Sequence, residues 1–338
     1  MIQPRKLVWT EGLFMTPQHL QQSDMYHEAL VHSRVHAIVP FDWGIIEVQF
    51  DDRALTAGQV RVTEARPLEG AFPAALEALD VFLALPIARD TAANVAMDPA
   101  KAGPATRLVA AQVSVPDVNT GRNETAVTWG RSNLRLLFGT EPRDAYETIR
   151  VAQLVRDRTG AIVLRKNFIP PILRIKASDH VMNGMRRVLS ALVGKQKTLA
   201  EGRRMRTAAS VDFQASDTAK FWMLHTLNSF IPICSHMVDH GTVHPEHAFT
   251  MLASIIGELC TFSPDGDPTS IPKFNYLDLG EVFDPVFDRA LTLIANVLAE
   301  SFTVVPLEKR DDGMYLGKFE DPKLPRTHEL FLEAKGID

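Results

Sequence analysis

The pattern of apolar and polar positions changes period along the chain, and each change marks a different kind of element. Thr16-Pro17 reads as a helix start, a hydroxyl N-cap followed by proline at the first helical position, where its missing N–H costs nothing. Leu20, Tyr26, Leu30, Val31, Val35 and Ile38 then give a rough apolar stripe that predicts a helix to about Ile38. Gln18, Gln21, Gln22 and Asp24 make its first turn exposed or partner-facing.

From Trp43 the pattern turns to short β-branched or aromatic runs set off by turn residues. Candidate strands are Ile45 to Phe50, Gln59 to Thr63, Val81 to Pro86, Leu108 to Val115, Thr125 to Trp129, Leu134 to Phe138, Ile149 to Arg156, Ala161 to Leu164 and Ile172 to Ile175. Asn119-Thr120-Gly121 and Arg158-Thr159-Gly160 are hairpin-type links, so an antiparallel β-sandwich or barrel is expected across residues 1–175 together with the first helix.

After Ser178 the period becomes helical. Met182, Met185, Leu189, Leu192, Gln196 and Leu199 are spaced 3, 4, 3, 4, 3, the seam of a coiled coil or tight bundle. A second helix from about Ser216 to His240 carries Leu224, Leu227, Ile231, Cys234 and Val238, with a kink expected at Pro232 and a left-handed stop at Gly241. A third opens at His244-Pro245-Glu246 and turns Phe249, Leu252, Ile256 and Leu259 inward; a fourth, near Leu277 to Phe302, uses Phe283, Phe287, Ala290, Ile294 and Val297. Residues 176–302 thus read as a four-helix bundle, and 303–338, with strand-like runs but too little chain for a core, as the start of a truncated C-terminal domain.

Composition narrows the class. At 46% hydrophobic and 23% charged, the chain is an ordinary globular protein. A net charge of -5 supplies no general attraction to nucleic acid or anionic lipid. Two cysteines, Cys234 and Cys260, cannot build a disulfide framework, the first residues show no signal-peptide core, and no apolar run approaches the roughly 20 residues that span a bilayer. A cytoplasmic protein without membrane insertion is expected.

Candidate chemistry is sparse. His236, His240, His244 and His247, with Asp239 and Glu246 nearby, have spacings a zinc site uses, yet Gly241 and Pro245 divide them between two helix ends, where capping and the helix dipole already account for them. His32 and His36 repeat the i, i+4 spacing and carry the same discount. The cationic run Arg186, Arg187, Lys195, Lys197, Arg203, Arg204 and Arg206 reads as a solvated face meeting Asp278, Glu281, Asp284 and Asp288, with phosphate binding as the alternative. Nucleotide-binding and hydrolase motifs are missing, so no catalytic residue, metal or cofactor is assigned, and the class is an assembly or binding protein.

The string Val8-Trp9-Thr10-Glu11-Gly12-Leu13-Phe14-Met15-Thr16-Pro17-Gln18-His19-Leu20-Gln21-Gln22 resembles the opening motif of the TssK family, the baseplate subunits of type VI secretion systems. Asn133 to Gly139, Phe168 to Ile175, Val243-His244-Pro245-Glu246 and Tyr276 to Leu279 resemble further family segments. The resemblance implies a β-sandwich shoulder like that of phage receptor-binding proteins, a four-helix neck and a C-terminal head, assembled as a homotrimer. It implies a structural adaptor without enzymatic activity, whose shoulders dock on a TssF/TssG wedge and whose head meets the cytoplasmic parts of TssL and TssM at the inner membrane. Two departures stand out: Arg66 to Ala71 joins neighbouring strands abruptly, and the chain stops after the first strands of the head, so the membrane-facing role is expected to be lost.

Site residues follow from these readings. Wedge docking is expected at Trp9, Glu11, Phe14, Pro17, Gln18 and His19, because no strand or heptad claims the two aromatics; the alternative is that Trp9 plugs its own sandwich. The trimer interface is expected along Met182, Met185, Leu189, Leu192, Gln196 and Leu199, with Gln196 fixing register. Two rival functions remain: a phage-tail-like receptor-binding protein and a metalloenzyme using the histidine cluster.

Overall fold

The computed structural model describes residues 5–61, 65–207, 215–264, 266–296, 307–309 and 314–317. Residues 1–297 and 298–338 form two separate compact units.

The first helix, α1 (Pro17–Ile38), begins where Thr16-Pro17 placed it. Its predicted apolar stripe is not covered by the chain: α1 has no buried residue at all. A five-residue helix that the pattern did not show, α2 (Asp52–Thr56), follows, capped by the Asp51 carboxylate, which accepts from the backbone N–H groups of Arg53 and Ala54 at 3.0 and 3.1 Å. Next come β1 (Gln59–Arg61), within the expected strand Gln59 to Thr63, and β2 (Ala65–Pro67), which runs into the join at Arg66; the two form an antiparallel pair.

The remaining strands of the first unit are β3 (Ala78–Pro86), β4 (Val95–Ala96), β5 (Leu108–Val115), β6 (Thr125–Ser132), β7 (Arg135–Phe138), β8 (Tyr146–Arg156) and β9 (Ile162–Leu164). They make a four-stranded sheet in the order β7-β3-β8-β9, antiparallel throughout, and a three-stranded sheet β4-β5-β6 in which only the β4–β5 pair is parallel. Asn119-Thr120-Gly121 and Arg158-Thr159-Gly160 do link β5 to β6 and β8 to β9, their turns braced by the Asp117 and Asp157 carboxylates. One core lies on the four-stranded sheet: Leu79, Val81, Leu136, Phe138 and Leu154 pack against Leu55 of α2, Val60 of β1, and Leu68 and Phe72 after β2.

Two expected strands are absent. Ile45 to Phe50 and Ile172 to Ile175 meet only at one parallel bridge, Ile45 with Ile172, where Ile45 N–H donates to Pro171 O at 2.9 Å and Leu173 N–H to Ile45 O at 3.0 Å. Pro170 and Pro171 have no N–H to extend the ladder.

Four long helices follow: α3 (Asp179–Thr207), α4 (Ala215–His240), α5 (Pro245–Cys260) and α6 (Leu279–Asn296). They pack in a cycle, α3 on α4, α4 on α5, α5 on α6 and α6 on α3. α4 runs through Pro232 and ends at Gly241, whose φ of +63° is the left-handed stop expected there. α6 is shorter than predicted at its start; Val297 to Phe302 lie outside the described residues.

The seam of α3 is rotated from the expected one. Val181, Met185, Val188 and Leu192, with Met182, are buried against the chain's own helices, while Leu189 is only half-buried. Val181 and Val188 are apolar too, so a 4-3-4 face one position away competes with the predicted one and wins. In the second unit, β10 (Leu307–Lys309) and β11 (Tyr315–Gly317) form an antiparallel pair. The rest of the strand-like runs expected across 303–338 lies outside the described residues.

Candidate functional site

The segment before α1 is a platform of exposed apolar side chains. A turn closed by Leu13 N–H donating to Thr10 O at 3.2 Å separates Trp9, 53% exposed, from Phe14, 85% exposed; Met15 and Val8 are open as well. Trp9 therefore does not plug its own core. Glu11, Pro17 and Gln18 are exposed beside it. His19 is committed locally: its Nδ1 accepts from the Thr16 N–H at 3.1 Å and lies 2.8 Å from the Thr16 hydroxyl, so this ring closes the start of the helix. The platform continues along α1 through Leu20, Met25, Val31, Val35 and Ile38, all exposed. An arm of this size with no core contact of its own is unusual for a folded chain, whose largest apolar patches mark interaction sites.

The expected trimer seam fares differently. Met182, Met185 and Leu192 are buried within the chain, Met185 and Leu192 completely, so they have no surface to offer a second copy. Leu189, Gln196 and Leu199 are half-buried, and Gln196 Nε2 donates to Asn228 Oδ1 of α4 at 3.2 Å. α4 adds exposed apolar surface at Trp222 and Ile233.

The histidines divide as the helix ends require. His244 caps α5, its Nδ1 accepting from Glu246 N–H at 3.2 Å, and its ring stacks on Phe41 and Tyr276; burial pushes its pKa down. His236 and His240 face one another on α4 at 4.5 Å between ring centres. Among the described residues, no three His, Cys, Asp or Glu side chains form a group suited to a metal ion. Of the basic run on α3, Arg187 lines a cavity of about 200 Å³ with Asp284 and Asp288 of α6, and the close pair there comes from outside the run, His180 Nε2 lying 2.5 Å from Asp284 Oδ1. Asp278 instead pairs with Arg150, at 3.7 Å.

Motif reading missed the junction that fixes this frame. Tyr276 Oη shares its proton between Trp43 O at 2.6 Å and Ile172 O at 3.0 Å. Beside it, Arg150 reaches Asp80 and Asp278 and lies over the Phe168 ring, tying the four-stranded sheet to the segment before α6. Only the cluster of aromatics at 41, 43, 274 and 276 hinted at it.

The family model described as "Bacterial Type VI secretion, VC_A0110, EvfL, ImpJ, VasE" matches residues 19–74 and 65–336. The chain belongs to this type VI secretion family. A curated relative, the "Type VI secretion system baseplate component TssK1" of Pseudomonas aeruginosa, is 28% identical, the match covering 94% of this chain and 75% of the relative. A solved baseplate complex from the type VI secretion system contains a chain 25% identical, with a TM-score of 0.76 over 87% of this chain and all of that one. A TssK crystal structure gives the same TM-score at 22% identity, covering 96% of this chain and 76% of its own. The chain of a TssK–TssF–TssG subcomplex structure matches at 24% identity, again at 0.76, over 86% of this chain and 99% of that one. The resemblance to TssK seen in the opening motif thus extends across the family match. Among the described residues no helix is long and apolar enough to cross a membrane.

Proposed function

We propose that this chain is a structural baseplate component of the type VI secretion system, a trimeric adaptor that ties a TssF/TssG wedge to the TssL/TssM membrane complex. The observation that carries the reading is the arm formed by Trp9, Phe14 and α1, whose apolar side chains the chain leaves exposed. A TssK relative is solved in complex with TssF and TssG, which makes those the partners to test first. The sheets act as a sandwich-like shoulder, the helices as a bundled neck, and the second compact unit belongs to the membrane-facing head. The protein works as scaffold rather than enzyme, without cofactor, in the cytoplasm at the inner face of the inner membrane. Trimer contacts fall to Leu189, Gln196 and Leu199, the seam positions that keep exposed surface.

The test is co-purification with TssF and TssG. Exposed aromatic anchors contribute on the order of 2 kcal/mol each when seated, so Trp9→Ala/Phe14→Ala weakens capture by well over an order of magnitude. Because both side chains are exposed, the melting temperature stays near that of the parent. Undiminished capture by the folded variant would remove the arm from the interface.

A further inference from the structure

α1 leaves the body of the protein as an arm, and its direction needs a physical cause. Its 22 residues bury nothing, and the chain passes into Val39-Pro40 directly after it. His19 bonds only the Thr16 cap at the start of the helix, whereas His32 and His36 reach past its end, and both reach one carboxylate. His36 Nδ1 lies 3.3 Å from Asp42 Oδ1, and His32 Nδ1 lies 3.7 Å from Asp42 Oδ2. The two rings stack across one helical turn at 5.9 Å between centres.

The Asp42 side chain is only 6% exposed, whereas His32 and His36 are 75% and 59% exposed, so the two histidines roof a shielded carboxylate. The residues on either side of it are clamped: the Phe41 ring packs on His244, Phe274 and Tyr276, and the Trp43 carbonyl takes the Tyr276 hydroxyl. The groups that face Asp42 are His32 and His36 from α1 and Tyr276 from the segment before α6, whose hydroxyl feels the Asp42 charge. Glu28 and Arg34 flank the histidine pair on α1, and His244 lies on the far side of the Phe41 ring. A shielded carboxylate is costly without donors, and here the donors are supplied by an element otherwise free of the core.

We propose that Asp42 with His32 and His36 forms a proton-sensitive latch that sets the direction of α1. With the imidazoles protonated, the contact is a charge-paired tie between arm and body; with them neutral, at most the single His36–Asp42 hydrogen bond remains. The arm is therefore held where the imidazoles carry their protons and swings about Val39-Pro40 where they do not. The latch is a property of the chain itself and stands or falls apart from what the arm docks on.

Donor and acceptor dyes at Gln21→Cys and Glu77→Cys, both exposed positions, read the arm's direction by single-molecule energy transfer, and an excess of unlabelled chain keeps the transfer intramolecular. The native sequence gives a narrow distribution near about pH 5.5 that broadens roughly twofold by about pH 8.5. His32→Gln/His36→Gln, on an exposed helix face where folding is not at risk, gives the broad distribution at both, and Asp42→Asn does the same. A distribution indifferent to pH in the native sequence, or one that stays narrow in the folded double variant, overturns the latch.

Discussion

Gly184 sits where α3 and α6 come closest. A Cβ built on it would lie 2.2 Å from Phe287 Cε2 and 2.5 Å from both Cδ2 and Cζ, distances at which carbon atoms cannot coexist. Phe287 cannot step aside cheaply: it is 3% exposed, and its ring packs on that of Phe283 at 5.5 Å. Gly184→Ala thus sets two terms against each other. Alanine gains about 1 kcal/mol of helix propensity in mid-helix, and the overpacked methyl costs typically about 1–3 kcal/mol, sometimes more. With three ring carbons inside contact distance, the cost falls at the upper end, and the net is about 1–2 kcal/mol of destabilisation. For a chain of this size that lowers the melting temperature by roughly 1.5–3 °C. Urea unfolding followed by far-ultraviolet circular dichroism measures it, and the second substitution Phe287→Leu supplies the control. Removing the ring makes room for the methyl, so the double variant is more stable than the sum of the two single changes predicts, a coupling on the order of 1 kcal/mol. A Gly184→Ala protein as stable as its parent, or strict additivity in the double variant, would refute the close approach of α3 and α6 at this notch.

Two further expectations concern the frame around it. Tyr276→Phe strips the shared donor from the Trp43 and Ile172 carbonyls and costs about 1–3 kcal/mol; burial, and then the Asp42 charge, push the Tyr276 pKa up from 10.0, so the parent also loses stability as pH climbs past 10, where only the unfolded chain ionises there, and the Phe variant lacks that contribution in alkaline melts. Glu141 is held in its charged form chiefly by two hydrogen bonds from Arg66, both 2.9 Å, and one from the Phe138 N–H, which put its pKa below 4.5; its contribution is present above that value and is lost as pH falls through the folded one, so acid titration of Glu141→Gln shows a shallower decline than the parent.

What the chain reveals before folding is mostly what neighbours in sequence decide. Thr16-Pro17, His244-Pro245 and Gly241 mark helix ends because caps are local, and the Asp117 and Asp157 turns mark hairpins for the same reason. The face of α3 was not legible, since Val181 and Val188 offer an equally apolar stripe and only the partners α4 and α6 choose between them. Of the residues expected to dock, Trp9 and Phe14 stood out because no periodic element claims them, whereas the job of His19 at the helix start depends on a ring rotamer. The Tyr276 segment stood out only by its family resemblance, since its bond to Trp43 joins residues 233 positions apart, and the pairing of Asp42 with His32 and His36, though near in sequence, depends on how the chain turns after Val39-Pro40.

The single bridge between Ile45 and Ile172 has a consequence for how the molecule can vary. The chain departs toward the sheets at one side of that bridge and comes back at the other, so everything from residue 46 to 171 is a closed excursion with adjoining ends. α1, the Phe41–Trp43 strap and the four helices meet through Tyr276 without any strand between them. In architectural terms the helical part and the arm are one continuous frame, and the β region is an insert whose ends meet at that bridge and whose sheet Arg150 pins to the segment before α6. Inserts with adjoining ends exchange and resize freely. The surface carried on β6, exposed at all of its positions, can thus be rebuilt while the frame that aims the arm stays as it is.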